Sequence, residues 1–211
     1  MTARLLSLID LHEQNLIHPW SIEIEMQGYL HVYNTRLGID SNSDIESSDY
    51  KTLINDLKEF CKNIKGTVLD IGCGDPKIGA FVFSDECSYI GLNPNSHSIE
   101  GRVNGYAEIN PFNDNVFDCV LFNGSLDHIL DHYTAVEEAY RVLKPGGKMI
   151  VTALVWEAQA DMLRDTVHFH HFRRRELEAL FREYCLSITH FASYPWKFNN
   201  HRHVEFFELK K

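Results

Sequence analysis

Positive charge is scarce in this sequence. Its 211 residues hold 20 Lys and Arg against 30 Asp and Glu, a formal net charge of −10 with histidine neutral. A protein that holds nucleic acid by its phosphates needs a basic surface. DNA, RNA and anionic membranes are therefore not expected partners. The one tight basic run, Arg173-Arg174-Arg175, reads as the solvated first turn of a helix. Paired cysteine is missing too. Cys61, Cys73, Cys87, Cys119 and Cys185 stand singly, with no Cys-x-x-Cys spacing, which argues against a disulfide framework or a cysteine zinc site. No apolar run approaches the ~18 residues of a membrane span, and no basic-apolar-small leader opens the sequence. The expectation is a cytoplasmic protein, a monomer or homodimer, with no membrane and no nucleic acid as partner.

What is present is enough for one α/β domain with an appendage: 44% apolar and 24% charged residues. Residues 1–48 show no sustained period after a short apolar stretch at Leu5, Leu6, Ile9 and Leu11. They read as an N-terminal cap or lid, and 49–211 as the main domain. Leu53, Ile54, Leu57, Phe60, Cys61 and Ile64 then recur at helical spacing, with Gly66 placed to close the helix. Short apolar runs at 67–70, 89–92 and 117–122, a weaker one near Val103, and one from Lys148 to about Leu154 read as strands. Helical patterns alternate with them, carried by Ala135, Val136, Ala139 and Val142 and later by Leu177, Leu180 and Phe181. Alternating strands and helices predict a doubly wound, Rossmann-like sheet, mostly parallel. Two closing strands, 186–191 and 203–209, have no helix between them, so the last of about seven strands is expected to be antiparallel.

The first strand runs into a glycine turn, Asp70-Ile71-Gly72-Cys73-Gly74. Glycine serves where the backbone turns sharply and must approach a ligand without a Cβ in the way. Two nucleotide signatures are absent around it. No Gly-Lys-Ser/Thr follows, so this is not a P-loop, and Asp75-Pro76 stands where a dinucleotide fingerprint would supply its third glycine.

Val68–Gly74 resembles motif I of the class I S-adenosylmethionine-dependent methyltransferases. Four later segments resemble that family in the same order: Tyr89–Asn93, Gly105–Phe112, Phe117–Ile129 and Arg141–Lys148. The likeness covers roughly residues 50 to 190. It implies that Asp70, Gly72, Cys73 and Gly74 hold the methionine part of S-adenosylmethionine and that Asn93 faces the ribose hydroxyls. It also implies that Ala107 and Glu108 lie beside the adenine, and that Asn123 and Gly124 border the sulfonium. The products would be S-adenosylhomocysteine and a methylated small or medium-sized metabolite, modified at O or N, with sugars and secondary metabolites in the family's range. Two positions depart from the pattern. Asn93 replaces the usual Asp or Glu, and Tyr106 stands where Asp is common. Losing two charged acceptors costs about 1–3 kcal/mol of cofactor binding. A non-catalytic or partner-dependent protein of the same fold is the alternative, and use of the sulfonium for other chemistry is a third reading.

Methyl transfer needs alignment and a dry site, and a base only when the acceptor must lose a proton. Asp127 and His128 follow the fourth strand, and His128 has the intrinsic pKa for a base at neutral pH. His168 and His170 form the other candidate pair. On a strand they would share one face, with His171 pointing away. No carboxylate at ligand spacing lies near them in sequence, so a metal is not expected.

Overall fold

The computed structural model describes residues 48–74, 76–94, 100–156, 168–184, 187–195 and 202–211, with backbone alone at 48–49 and 190–195. The expected cap lies outside the described residues apart from its final position. So do Cys185 and most of the loop between the last two strands.

Among the described residues four α-helices and seven strands follow in order: α1 (Ser48–Cys61), β1 (Gly66–Ile71), α2 (Pro76–Val82), β2 (Cys87–Asn93), β3 (Arg102–Asn104), β4 (Phe117–Asn123), α3 (His132–Val142), β5 (Leu143–Trp156), α4 (Arg174–Glu183), β6 (Ser187–Pro195) and β7 (Arg202–Lys210). A short 3₁₀ turn, Leu126–His128, sits between β4 and α3. The strands form one sheet in the order β3-β2-β1-β4-β5-β7-β6. β1 to β5 pair in parallel, and β7 runs antiparallel to both β5 and β6.

Strand residues alternate between two faces, and each face finds its own helices. Leu69, Val120, Phe122, Met149 and Val151 pack with α3 through Val136 and Ala139 and with α4 through Leu177 and Phe181. Val68, Cys119, Leu121, Ile150 and Phe206 pack with α1 through Ile54, Leu57 and Cys61. Burying a side chain such as Leu57, which is fully enclosed, contributes about 1.5–3 kcal/mol. Both faces of the sheet are covered, which is why β4 is apolar almost throughout.

Three local expectations change. Gly66 does not close α1; it opens β1 at φ +88°, where a Cβ would overlap the Asp118 carboxylate. Asp118 uses that space to accept from Thr67 N at 2.8 Å and from Lys144 Nζ at 2.8 Å. β5 begins at Leu143, earlier than expected. Phe117 pairs with Leu143 and Cys119 with Lys148, so the Pro145-Gly146-Gly147 stretch bulges out of the strand. The arginine run opens α4 with Arg174 and Arg175 exposed, as expected, but it is not left to solvent alone. Arg173 donates to Trp156 O at 2.6 Å, and Arg174 holds Glu205 through Nε at 2.7 Å and through a second, shorter contact. Glu205 is 1% exposed on β7, so one of the three charges is spent on a buried carboxylate.

Candidate functional site

The sites predicted for the cofactor gather at the carboxyl ends of β2, β1 and β4, with the loop after β3 beside them. In open α/β sheets this edge, at the point where strand order reverses, is where ligands bind.

The glycine turn leaves β1 at its centre. Gly72 N donates to Leu92 O at 2.7 Å, and Cys73 N shares that acceptor at 3.3 Å. Gly72 has φ +78°, and a Cβ there would overlap Ser125. Ser125 is close because its Oγ donates to Ile71 O at 2.5 Å, stapling the loop after β4 onto the end of β1. Gly74 differs: its φ is +55°, but no described residue lies within 4 Å of a Cβ built on it. Among the described residues the turn is uncovered there, as a ligand-facing turn requires. Arg102 Nη1 donates to Gly74 O at 3.2 Å and ties β3 to the turn. Cys73 points inward, is 7% exposed, and has its thiol pushed up to about 12 by burial.

Asp70 is 2% exposed. Its Oδ2 accepts from Tyr89 Oη at 2.8 Å, while Oδ1 has no hydrogen-bond partner among the described residues. Burial raises its pKa to about 7, against a smaller lowering by the Tyr89 hydroxyl. Gly79 makes room for that hydroxyl, since a Cβ there would overlap the Tyr89 ring. A buried carboxyl with one unsatisfied oxygen, next to an open glycine turn, matches the ammonium end of S-adenosylmethionine in charge and hydrogen-bond capacity.

Asn93 ends β2, half-buried, with its carbonyl accepting from Gly105 N at 3.2 Å. Ala107 is buried, and Glu108 is half-buried with Oε1 near Asp131 N at 3.4 Å. Tyr106 is 41% exposed. Asn123 ends β4 with its Oδ1 accepting from Thr152 Oγ1 at 2.9 Å, and Gly124 N donates to Thr152 O at 3.0 Å. Gly124 has φ +59° and open space at its Cβ position.

The four candidates for acceptor chemistry divide into two groups. The 168–172 segment is not a strand. It bends against the 3₁₀ turn, with Phe169 N and His170 N both donating to Asp127 O, at 2.9 and 3.2 Å, and with Trp156 N donating to Phe172 O at 2.8 Å. The bend sends its histidines three ways. His168 meets Asp127 and His128: its Nε2 lies 3.8 Å from Asp127 Oδ2, and the two imidazoles stand 4.6 Å apart. His170 turns to α3, with Nε2 2.9 Å from Ile129 O and 3.2 Å from His132 Nδ1. His171 packs on the Trp156 ring at 4.3 Å. Asp127 is 2% exposed and so is not a surface group. His132 has its pKa lowered to about 4, first by burial and then by His170, against Asp131; it is neutral at pH 7. Sequence reasoning missed Tyr89, Gly79, Ser125 and Arg102. Each acts through a partner 10 to 54 positions away; Tyr89 and Ser125 fall within segments that resemble the family, but nothing in those segments marks their partners.

A seven-stranded sheet with one reversed strand and a glycine turn after β1 make this a Rossmann-like domain with the methyltransferase fold. Comparison with known proteins agrees. Residues 69–151 match the family described as a methyltransferase domain, and the fold and motif order are those of the class I S-adenosylmethionine-dependent methyltransferases. The uncharacterized protein YafE of Escherichia coli K12 is 38% identical over 93 residues, covering 40% of this chain and 45% of that protein. The ubiquinone/menaquinone biosynthesis C-methyltransferase UbiE of Haemophilus ducreyi is 47% identical over 49 residues, 23% of this chain and 19% of that protein. The chain thus matches less than half the length of these curated relatives. The crystal structure of YcgJ from Bacillus subtilis shares the fold with a TM-score of 0.64 at 17% identity, over 76% of this chain and 99% of that one. No described helix is long and apolar enough to cross a membrane.

Proposed function

We propose that this protein transfers the methyl group of S-adenosylmethionine to O or N of a small or medium-sized metabolite, sugars and secondary metabolites included. The observation that carries the reading is Asp70: a buried carboxyl with an oxygen that has no partner among the described residues, beside a glycine turn that none of them covers at Gly74. S-adenosylmethionine brings an already activated methyl group, so the protein has only to bind, orient and exclude water. Asp70 takes the ammonium, and the Gly72–Gly74 backbone lies along the methionine chain. Asn93 faces the ribose, Ala107 and Glu108 flank the adenine, and Asn123 and Gly124 border the sulfonium. Residues 1–48 serve as the cap, and the working form is a monomer or homodimer in the cytoplasm.

His128 and His168, both beside buried Asp127, face the acceptor and accept its proton where one must leave. His170 is assigned a positioning part, because its ring nitrogen is engaged by the carbonyls of Ile129 and Leu130. The short UbiE match adds carbon to the acceptor atoms to be assayed.

Calorimetric titration with S-adenosylmethionine and S-adenosylhomocysteine tests the reading. Micromolar binding of both, followed by S-adenosylhomocysteine release with a panel of hydroxyl, amine and aromatic acceptors, is the expected result. No binding at millimolar ligand would sink it. Weight would then pass to a degenerate, partner-dependent site, which Asn93 and the exposed Tyr106 favour.

A further inference from the structure

We propose that Asp127, His128 and His168 form a binding site for a divalent transition-metal ion, best matched to zinc, on the acceptor side of the cofactor site. The ion's role rests on the methyltransferase reading; its binding does not.

The three residues each offer a ligand atom, and these atoms lie within 4.8 Å of one another. His128 Nε2 is 3.9 Å from Asp127 Oδ1, and His168 Nε2 is 3.8 Å from Asp127 Oδ2. Both distances are too long for hydrogen bonds. They are close to what an ion between the groups would set. Around a tetrahedral zinc with bonds of about 2.0–2.1 Å, neighbouring donor atoms stand about 3.4 Å apart. A side-chain adjustment of about half an ångström brings each of these two distances to that value, and the whole set, within 4.8 Å, closes by about 1–1.5 Å at most. Each imidazole approaches a different oxygen of the Asp127 carboxylate, and the two rings stand 4.6 Å apart.

The donors are also held in place. Asp127 is buried in the 3₁₀ turn after β4, and its carbonyl anchors the 168–170 backbone through the two amide bonds described above. The His168 ring stands edge-on to Trp156 at 6.1 Å. Ligands on locked elements lose little freedom on binding, which favours affinity. The sequence could not show this set, since its carboxylate lies 41 positions before His168 and belongs to another element.

Donor chemistry selects the ion. Two imidazoles and one carboxylate, with no thiolate, suit zinc or another divalent first-row metal better than calcium or magnesium, which take oxygen. Three protein ligands leave a position for water or a substrate atom. A hydroxyl bound to the ion would lose its proton far more readily than a free one, so with the ion in place His128 and His168 serve as ligands and proton loss to water needs no imidazole base. The acceptor class this site fits is therefore a hydroxylated compound bound through oxygen.

The test uses the full chain without a histidine tag, stripped of metal by chelation. It is titrated with Zn²⁺ by calorimetry and with Co²⁺ by visible absorption, and separately with S-adenosylhomocysteine. One equivalent of Zn²⁺ should bind at micromolar or tighter affinity, with Co²⁺ giving d–d bands of a nitrogen–oxygen site. His168→Gln and Asp127→Asn should each weaken Zn²⁺ binding by about 100-fold or more, while His171→Gln, outside the set, should not. His128→Gln serves as the second ligand variant if Asp127→Asn does not fold. Absence of Zn²⁺ binding below millimolar concentration, or binding unchanged in His168→Gln and His128→Gln, would overturn the proposal. S-adenosylhomocysteine binding that persists in such a metal-indifferent protein would leave the methyltransferase reading standing.

Discussion

Replacing Asp70 by Asn should make the protein more stable at pH 8 and a worse binder of its cofactor. The Asp70 pKa rises from 3.8 to about 7 because burial penalises the charged form. A raised carboxyl pKa means the folded state holds the proton more tightly than the unfolded one. The stability this contributes is complete below pH 4 and is lost as pH climbs to 7. Above pH 7 the ionised, buried Asp70 costs the fold about 4 kcal/mol. Asn removes that cost, but its NH2 sits where the unpartnered oxygen was, a loss of about 1–3 kcal/mol. The net gain at pH 8 is about 1–3 kcal/mol, shrinking to near zero at pH 5. Urea denaturation of both proteins at the two pH values reads it. Binding should move the other way. The ammonium of S-adenosylhomocysteine loses its charged partner, and affinity falls about 10- to 100-fold. In the unmodified protein, binding near pH 7 should release a proton from Asp70, visible as a calorimetric enthalpy that changes with buffer. A stability difference that ignores pH, together with unchanged affinity, would refute the reasoning.

Gly72→Ala should cost about 2–4 kcal/mol, since it meets both a positive φ and Ser125, whereas Gly74→Ala should cost about 1–2 from φ alone; equal melting temperatures for the two variants would contradict this. Asn93→Asp should tighten S-adenosylhomocysteine binding about 5- to 100-fold by restoring a charged ribose acceptor, and a titration showing no gain would place the ribose elsewhere. Arg174→Ala leaves Glu205 buried without its guanidinium and should destabilise by about 3 kcal/mol. The double variant Arg174→Ala/Glu205→Gln should recover part of that loss in denaturant melts, and no recovery would mean that packing, not charge, sets the cost.

The order of elements and the reversed last strand were legible because they depend on period and spacing. The α1 face from Leu53 to Ile64 and the apolar run of β4 state their own burial. The glycine turn was legible for a similar reason: Gly72 and Gly74 adopt the positive φ that their residue type permits. Pairings between distant positions were not. Nothing local marks Tyr89 as the partner of Asp70, or Arg174 as the counter-charge of Glu205. A strand would have set His168 and His170 on one face, with His171 on the other. Two amides captured by the Asp127 carbonyl bend the chain and part them. The exposed arginine turn of α4 also meets buried Glu205, for the same reason: a side chain's environment is set by what the fold carries to it.

The position of β7 has a consequence for how the protein is made. β6 leaves the ribosome before β7, yet within the sheet its backbone pairs only with β7, which separates it from β5. Until β7 emerges, β5 presents an open ladder edge and β6 has no neighbour to dock on. Such an edge is a template for strands of other chains. A translational pause, or a premature stop, between residues 195 and 202 would leave a half-built sheet prone to self-association. Synthesis through the last strand works as the step that closes the sheet against its own copies.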